Sequence, residues 1–261
     1  MPLSRRSLLA LGIGTITAGV AGCTNGSGGT SSDAYCVSRG EVARHGSLGN
    51  ARLVYDISGE PTSFRFDSGF YGQLERWLTD YRKLSGIEAP DQLWTYGTWL
   101  DGRPACDSWH DAGRAFDLSR LVAGNEVLVS CRYDIWSNYT GARLEHFRTR
   151  YWALAASLHL HFAYVLTYLY NPTHHNHIHI DNGRSGDQLS TFSTRSQAQV
   201  QAVQGMLNHV WGRRLQITGD WNDETADATS AVLDRTSTPG SVDDGTEQWQ
   251  AFLRATAADR T

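Results

Sequence analysis

Two histidine-rich stretches far apart in the chain constrain its fold more than any other feature. The first reads Ser108-Trp109-His110-Asp111-Ala112-Gly113-Arg114-Ala115-Phe116-Asp117. The second reads His174-His175-Asn176-His177-Ile178-His179-Ile180-Asp181. Together they hold five of the ten histidines. Imidazole and carboxylate in this mixture suit zinc. A catalytic zinc takes three protein ligands from His, Asp or Glu and leaves a fourth position to water.

The spacing supports that chemistry. His110 and Asp117 are seven residues apart with Gly113 between them, so the chain can turn and aim both side chains at one point. His177 and His179 fall on one face of a strand, because strand side chains alternate. One can hold the ion while the other reaches the reacting water and moves its proton, since an imidazole titrates in the working range. Asp181 reads either as a partner that orients a ligand histidine or as a turn residue at the strand end. Arg103 and Arg114 are candidates to meet a substrate carboxylate. His45, His146, His159, His161 and His209 lack comparable context and read as structural or solvated.

Composition sets the frame for such a site. The chain has 261 residues, 40% apolar and 19% charged, enough for a real core and unlike a fibrous or disordered chain. A net charge of −4 speaks against a dedicated nucleic-acid binder, which needs a basic footprint. Residues 1–23 carry Arg5-Arg6, a short apolar run and then Val20-Ala21-Gly22-Cys23. This resembles a twin-arginine signal ending in the lipobox of bacterial lipoproteins, which implies lipidation at Cys23 and an exported, membrane-anchored protein. Removing residues 1–22 deletes two arginines and no acid, and takes the charge from −4 to −6. Residues 24–35 are rich in Gly, Ser and Thr and read as a flexible tether. Three cysteines remain, which allows at most one bridge. Cys106 and Cys131 flank the first motif and are the expected pair, with Cys36 as the alternative partner.

Short strands and turns are expected over residues 36–66. Phe70, Leu74, Trp77, Leu78 and Tyr81 make one apolar stripe and predict a helix over 68–84. Strands are expected at 93–100 and 126–130, a helix at 141–158, and a buried strand at 162–170 stopped by Asn171-Pro172. Strands and helices mix without strict alternation. The fold class is therefore α+β, a small antiparallel sheet flanked by helices, with a small helical C-terminal module.

The first stretch matches S-x-H-x-x-G-x-A-x-D at Ser108, His110, Gly113, Ala115 and Asp117. In this it resembles the D-Ala-D-Ala metallocarboxypeptidases and dipeptidases and their lysostaphin and hedgehog relatives. His174, His177 and His179 are similar to the H-x-x-H-x-H of penicillin-insensitive murein endopeptidases. Tyr96-Gly97 before the first motif, and His177-Ile178-His179-Ile180-Asp181 in the second, resemble the extensin-like C-terminal domain of bacteria. The resemblance covers about residues 36–183, within a domain expected over 36–185. It implies His110, Asp117 and His179 as zinc ligands, His177 as the polarising or general-base residue, and His174 as an auxiliary group. Ser108 would hold the substrate or the loop. The chain departs from the carboxypeptidase pattern at Asn176, where that branch places a glutamate base.

Residues 195–256 have a different character. Val200, Val203, Leu207 and Val210 form a helical stripe. Gly219-Asp220-Trp221 follows, and then two further helical stretches around Ala228–Val232 and Gln248–Leu253. This is similar to the peptidoglycan-binding-like repeat, with Gly-Asp in reversed order and Trp221 in place of Phe. A plain helical hairpin packed on the first domain is the alternative. These readings together predict an exported, lipid-anchored zinc peptidase acting on peptidoglycan as a D,D-endopeptidase or D,D-carboxypeptidase. The other reading is a non-catalytic cell-wall-binding lipoprotein with a vestigial or structural metal site.

Overall fold

The computed structural model describes residues 35–98 and 106–258. The expected signal, the expected lipidation site Cys23, the expected tether up to residue 34, Arg103 and the end of the strand expected at 93–100 lie outside the described residues. Ten strands and six helices follow in order. They are β1 (Ala43–His45), β2 (Ser47–Leu48), β3 (Ala51–Tyr55), β4 (Glu60–Pro61), β5 (Phe64–Phe66), α1 (Ser68–Ser85), β6 (Gln92–Gly97), β7 (Ala115–Ala123) and β8 (Glu126–Ser130). Then come α2 (Tyr133–Trp136), α3 (Gly141–His161), β9 (Tyr164–Leu166), β10 (Ile178–Asp181), α4 (Gln197–His209), α5 (Asp223–Leu233) and α6 (Thr246–Ala257).

The α+β class holds, but the sheet is larger and mixed. Eight strands form one sheet whose main path runs β2-β3-β6-β7-β10-β9, and β3 pairs with β6 in parallel. The parallel step arises because α1 carries the chain back across the sheet between β3 and β6, the kind of crossover that parallel neighbours require. β7 is central. β6 lines one of its edges, while β10 and β8 share the other.

Helix α1 follows local rules. The Asp67 carboxylate caps its start by accepting from the Phe70 amide at 3.0 Å. Gly86 ends it in the left-handed conformation at φ 64°. Its apolar stripe is buried, with Phe70, Leu74 and Trp77 fully enclosed. The strand expected over 162–170 shortens to β9, an edge strand in which Tyr164 is 40% exposed. Beyond it, Tyr168 stacks on Tyr133 at 4.0 Å, so those aromatic residues serve a side-chain cluster instead of a ladder.

The bridge joins Cys36 to Cys106. The expected Cys106–Cys131 pair is corrected, because Cys131 leaves the end of β8 pointing into the core, fully buried. Burial pushes its thiol up, so it stays protonated.

The segment 195–256 folds as α4, α5 and α6. Both α4 and α6 pack on α3, and all three helices contribute to one hydrophobic core with the sheet. Gly205 in α4 lies against Trp152 of α3, where a Cβ would come within 2.4 Å of the indole. Gly205→Ala is expected to destabilise the fold by about 1–3 kcal/mol through overpacking. A denaturant midpoint equal to that of the parent would show that the two helices can part without cost.

His159 on α3 is buried between helices. Its ring lies 5.7 Å from that of Trp249, and neither ring nitrogen has a hydrogen-bond partner among the described residues. Burial pushes its pKa down to about 3. The unfolded chain therefore takes up a proton near pH 6.5 that the folded chain refuses. Stability is complete above pH 6.5 and is lost as pH falls towards 3. The loss is about 2 kcal/mol between pH 6.5 and pH 5, at about 1.4 kcal/mol per pH unit. His159→Leu is expected to remove that part of the acid limb, checked by urea midpoints at pH 7 and pH 5. An undiminished acid loss in the variant would place its origin elsewhere.

Candidate metal centre

The sheet register brings the two motifs together. His179 of β10 lies directly opposite Asp117 of β7, with Gly97 of β6 on the other flank of Asp117. Asp117 and His179 share one face of the sheet. Their neighbours Phe116, Leu118, Ile178 and Ile180 are fully buried on the other. Two buried leucine, isoleucine and phenylalanine rows thus fix the register, since a slip of one residue would turn the core outward and the site inward. Gly97 takes φ 105°, and a Cβ there would come within 2.5 Å of the Phe64 ring.

His110 arrives from a turn and not from a strand. The Asp111 amide donates to the Ser108 carbonyl, that of Gly113 to the His110 carbonyl, and that of Arg114 to the Trp109 carbonyl. Gly113 is the pivot at φ 66°. Its carbonyl accepts from the Asp67 amide at 2.9 Å, and a Cβ would strike that nitrogen at 2.8 Å. Ser108 Oγ accepts from the His110 amide at 3.3 Å, so this hydroxyl holds the turn.

His110, Asp117 and His179 form a group that can hold a metal ion, their ligand atoms all lying within 4.8 Å of one another. His110 Nε2 is 3.2 Å from His179 Nδ1 and 3.4 Å from Asp117 Oδ1, and His179 Nδ1 is 2.9 Å from Asp117 Oδ1. A tetrahedral zinc with ligands at about 2.0–2.1 Å spaces its ligand atoms about 3.3–3.4 Å apart along each edge. The triangle present is close to one face of that tetrahedron. The other ring nitrogen of His179, Nε2, lies 3.3 Å from Asp181 Oδ2 and donates to it, which leaves Nδ1 turned to the site. Asp181 also accepts from the Gly183 amide through Oδ1, so it orients the His179 ring and closes the strand end together.

The electrostatics follow from this packing. Burial alone would raise the Asp117 carboxyl. Hydrogen bonds from His110 and His179 and the electrostatic pull of the nearby His110 and His177 rings outweigh it and hold the group well below the usual carboxylate range. Burial works against charge on His179, but Asp117 and Asp181 overcome it and lift the ring to about 9, so Nδ1 donates to Asp117 a proton that a metal ion bound there would displace.

His177 stands outside the three-ligand set, with Nε2 3.4 Å from Asp117 Oδ1. Its Nδ1 lies 2.6 Å from Asn176 Oδ1. That partner can only accept, so Nδ1 carries the hydrogen and Nε2 is left as an acceptor facing the site. Burial lowers the pKa of His177 and favours this neutral form. Asn176 therefore fixes the tautomer of the neighbouring histidine. His174 is held similarly, its Nδ1 2.8 Å from Asn171 Oδ1, with its ring 5.1 Å from that of His177 and 6.0 Å from that of His179. Burial and the two neighbouring histidines push its pKa down to about 4.

The remaining candidates go elsewhere. Arg114 is committed to Asn182, donating to its side chain at 3.1 Å and its carbonyl at 2.9 Å. His45 stacks on Tyr71, His161 pairs with Asp80 and His209 stacks on Trp152. Sequence reasoning missed a charged floor beside the site. Asp56 there accepts from Ser119, from Arg120 at 2.9 Å and from Arg132 at 3.3 Å, and Arg132 also grips Asp134 at 2.7 Å. Tyr96 lies next to it, with its ring 5.8 Å from that of His177. Burial first, then the Asp56 charge, raises the Tyr96 hydroxyl, which stays protonated. No local pattern announces Asp56, because its partners come from β7 and the segment after β8.

No family model matches the chain, and no curated protein or solved structure matches it either. Among the described residues no helix is long and apolar enough to cross a membrane.

Proposed function

We propose that this chain is a metal-dependent hydrolase, and within that class a zinc peptidase. One observation carries the reading. Three ligand groups form one face of a tetrahedron, while a fourth histidine, His177, stands beside it outside that set and turns Nε2 to the site, 3.4 Å from Asp117 Oδ1. A structural zinc site is closed by four protein ligands, whereas a catalytic one keeps a position open. A zinc ion held there would polarise a peptide carbonyl and supply a nucleophile from water at neutral pH. His177 Nε2 would take the proton of the attacking water and return it to the leaving amine. Tyr96, a phenol kept protonated, offers a donor beside His177 for the developing oxyanion.

The substrate class rests on the motif resemblance and on the export signal read in residues 1–23. Both support peptidoglycan stem peptides or their cross-links as substrate, with D,D-endopeptidase or D,D-carboxypeptidase action. They also support a site anchored at the outer face of the membrane through Cys23. The α4–α6 segment would serve as a wall-binding element. Nucleic acid has no part in this reading, given the charge of −4.

The test uses purified peptidoglycan incubated with the protein, zinc-loaded and chelator-treated, followed by separation of the products. New stem-peptide termini that require zinc and vanish in His110→Ala are expected. Wall binding without cleavage by the zinc-loaded protein would assign it to the non-catalytic class.

A further inference from the structure

Of the three ligand groups, Asp117 and His179 sit in paired strands, while His110 sits in a turn with no strand or helix around it. That turn is gripped from outside the sheet. Cys36 is bonded to Cys106, four residues before His110. The adjacent Tyr35 packs on Trp109, ring centroids 4.5 Å apart. Behind Trp109 lies Gly183, where a Cβ would come within 2.0 Å of the indole, and the Arg114 guanidinium sits 5.6 Å from its ring. The turn is thus held between the N-terminal segment and the loop that leaves β10.

The local chain does not favour this position by itself. Cys106 has φ 61°, and among the described residues it is the one non-glycine in the left-handed region. Such a backbone is disfavoured for a residue with a Cβ and persists where its surroundings impose it. The covalent tie to Cys36 falls on this same residue. The described residues hold one other cysteine, Cys131, which is buried and free, so a reductant acts on this bridge.

We infer that the Cys36–Cys106 bridge and Tyr35 are positioning elements for His110, and that the centre holds its metal at full affinity only while the bridge is oxidised. With the bridge cut, Cys106 relaxes, the turn loosens and the metal loses its third ligand. The inference rests on the metal-site reading above.

The test measures zinc affinity by competition with a chromogenic chelator. The samples are oxidised protein, protein reduced by a phosphine and desalted without oxygen, the Cys36→Ser/Cys106→Ser variant, and Tyr35→Ala with its bridge intact. Reduction and the double variant are expected to weaken zinc about 10–100-fold, the range seen when support of a ligand is removed. Tyr35→Ala is expected to weaken it about 10-fold and Tyr35→Phe to restore it. Cobalt(II) adds a spectroscopic readout, since its intense tetrahedral absorption should fade as His110 leaves and water enters. Unchanged zinc affinity and an unchanged cobalt spectrum on reduction would overturn the inference alone. Absence of zinc binding by the oxidised protein would overturn both the inference and the metal reading. If circular dichroism shows the reduced chain unfolded, Tyr35→Ala decides, and full zinc affinity there overturns the inference.

Discussion

Asp117→Ala is expected to abolish stoichiometric zinc binding and to reduce peptide cleavage to background. Asp117 is the hub of the centre. Its Oδ1 lies within 3.4 Å of a nitrogen on each of His110, His177 and His179. Removing it deletes a ligand and leaves three imidazoles facing one another with no carboxylate between them. The fold should survive near pH 8, because His179 then sheds the proton that Asp117 helped to retain. Below pH 6 the crowded rings compete for protons and the variant should melt earlier than the parent. Zinc content after dialysis, with thermal melts at pH 8 and pH 6, checks both halves. A variant that keeps one zinc per chain would mean that the ion is held elsewhere.

His177→Ala has the second large effect, and it separates two designs of the site. If His177 is the base, kcat falls about 10²–10⁴-fold while zinc stays bound, as expected for loss of general acid–base assistance. Asn176→Ala should cost less, since it removes only the bond that fixes the His177 tautomer. Zinc lost together with activity would mean that His177 completes a closed four-ligand site, which fits a structural ion. Metal analysis beside steady-state kinetics distinguishes the two.

Much of the fold was legible because its signals are local. The stripe from Phe70 to Tyr81 predicts α1 without reference to anything else, and the structure adds the Asp67 cap. The same holds for the stripe of α4, to which the structure adds the Ser196 cap. The nine-residue β7 was not legible. Ala115–Ala123 does not alternate cleanly, since Leu118, Ser119, Leu121 and Val122 are all buried and the ladders on both its edges carry irregularities. The disulfide was misread for a related reason. The flanking of the first motif suggested Cys106 with Cys131, but the direction of the chain leaving β8 sends Cys131 into the core.

The site divides in the same way. The sequence alone determined the candidate ligand types, the Gly113 turn between His110 and Asp117, and the nearness of His177 to His179, although β10 starts only at Ile178 and leaves His177 just outside the strand. Each of these depends only on residue chemistry and on short spacing along the chain. The tertiary structure decided that Asp117 faces His179 across a β-ladder, that Asn176 and Asp181 set the histidine tautomers, and that Cys36 steadies the turn. Those contacts join residues dozens of positions apart. They exist only because burying Phe116, Leu118, Ile178 and Ile180 on one side of the sheet leaves a single register in which the polar groups meet on the other.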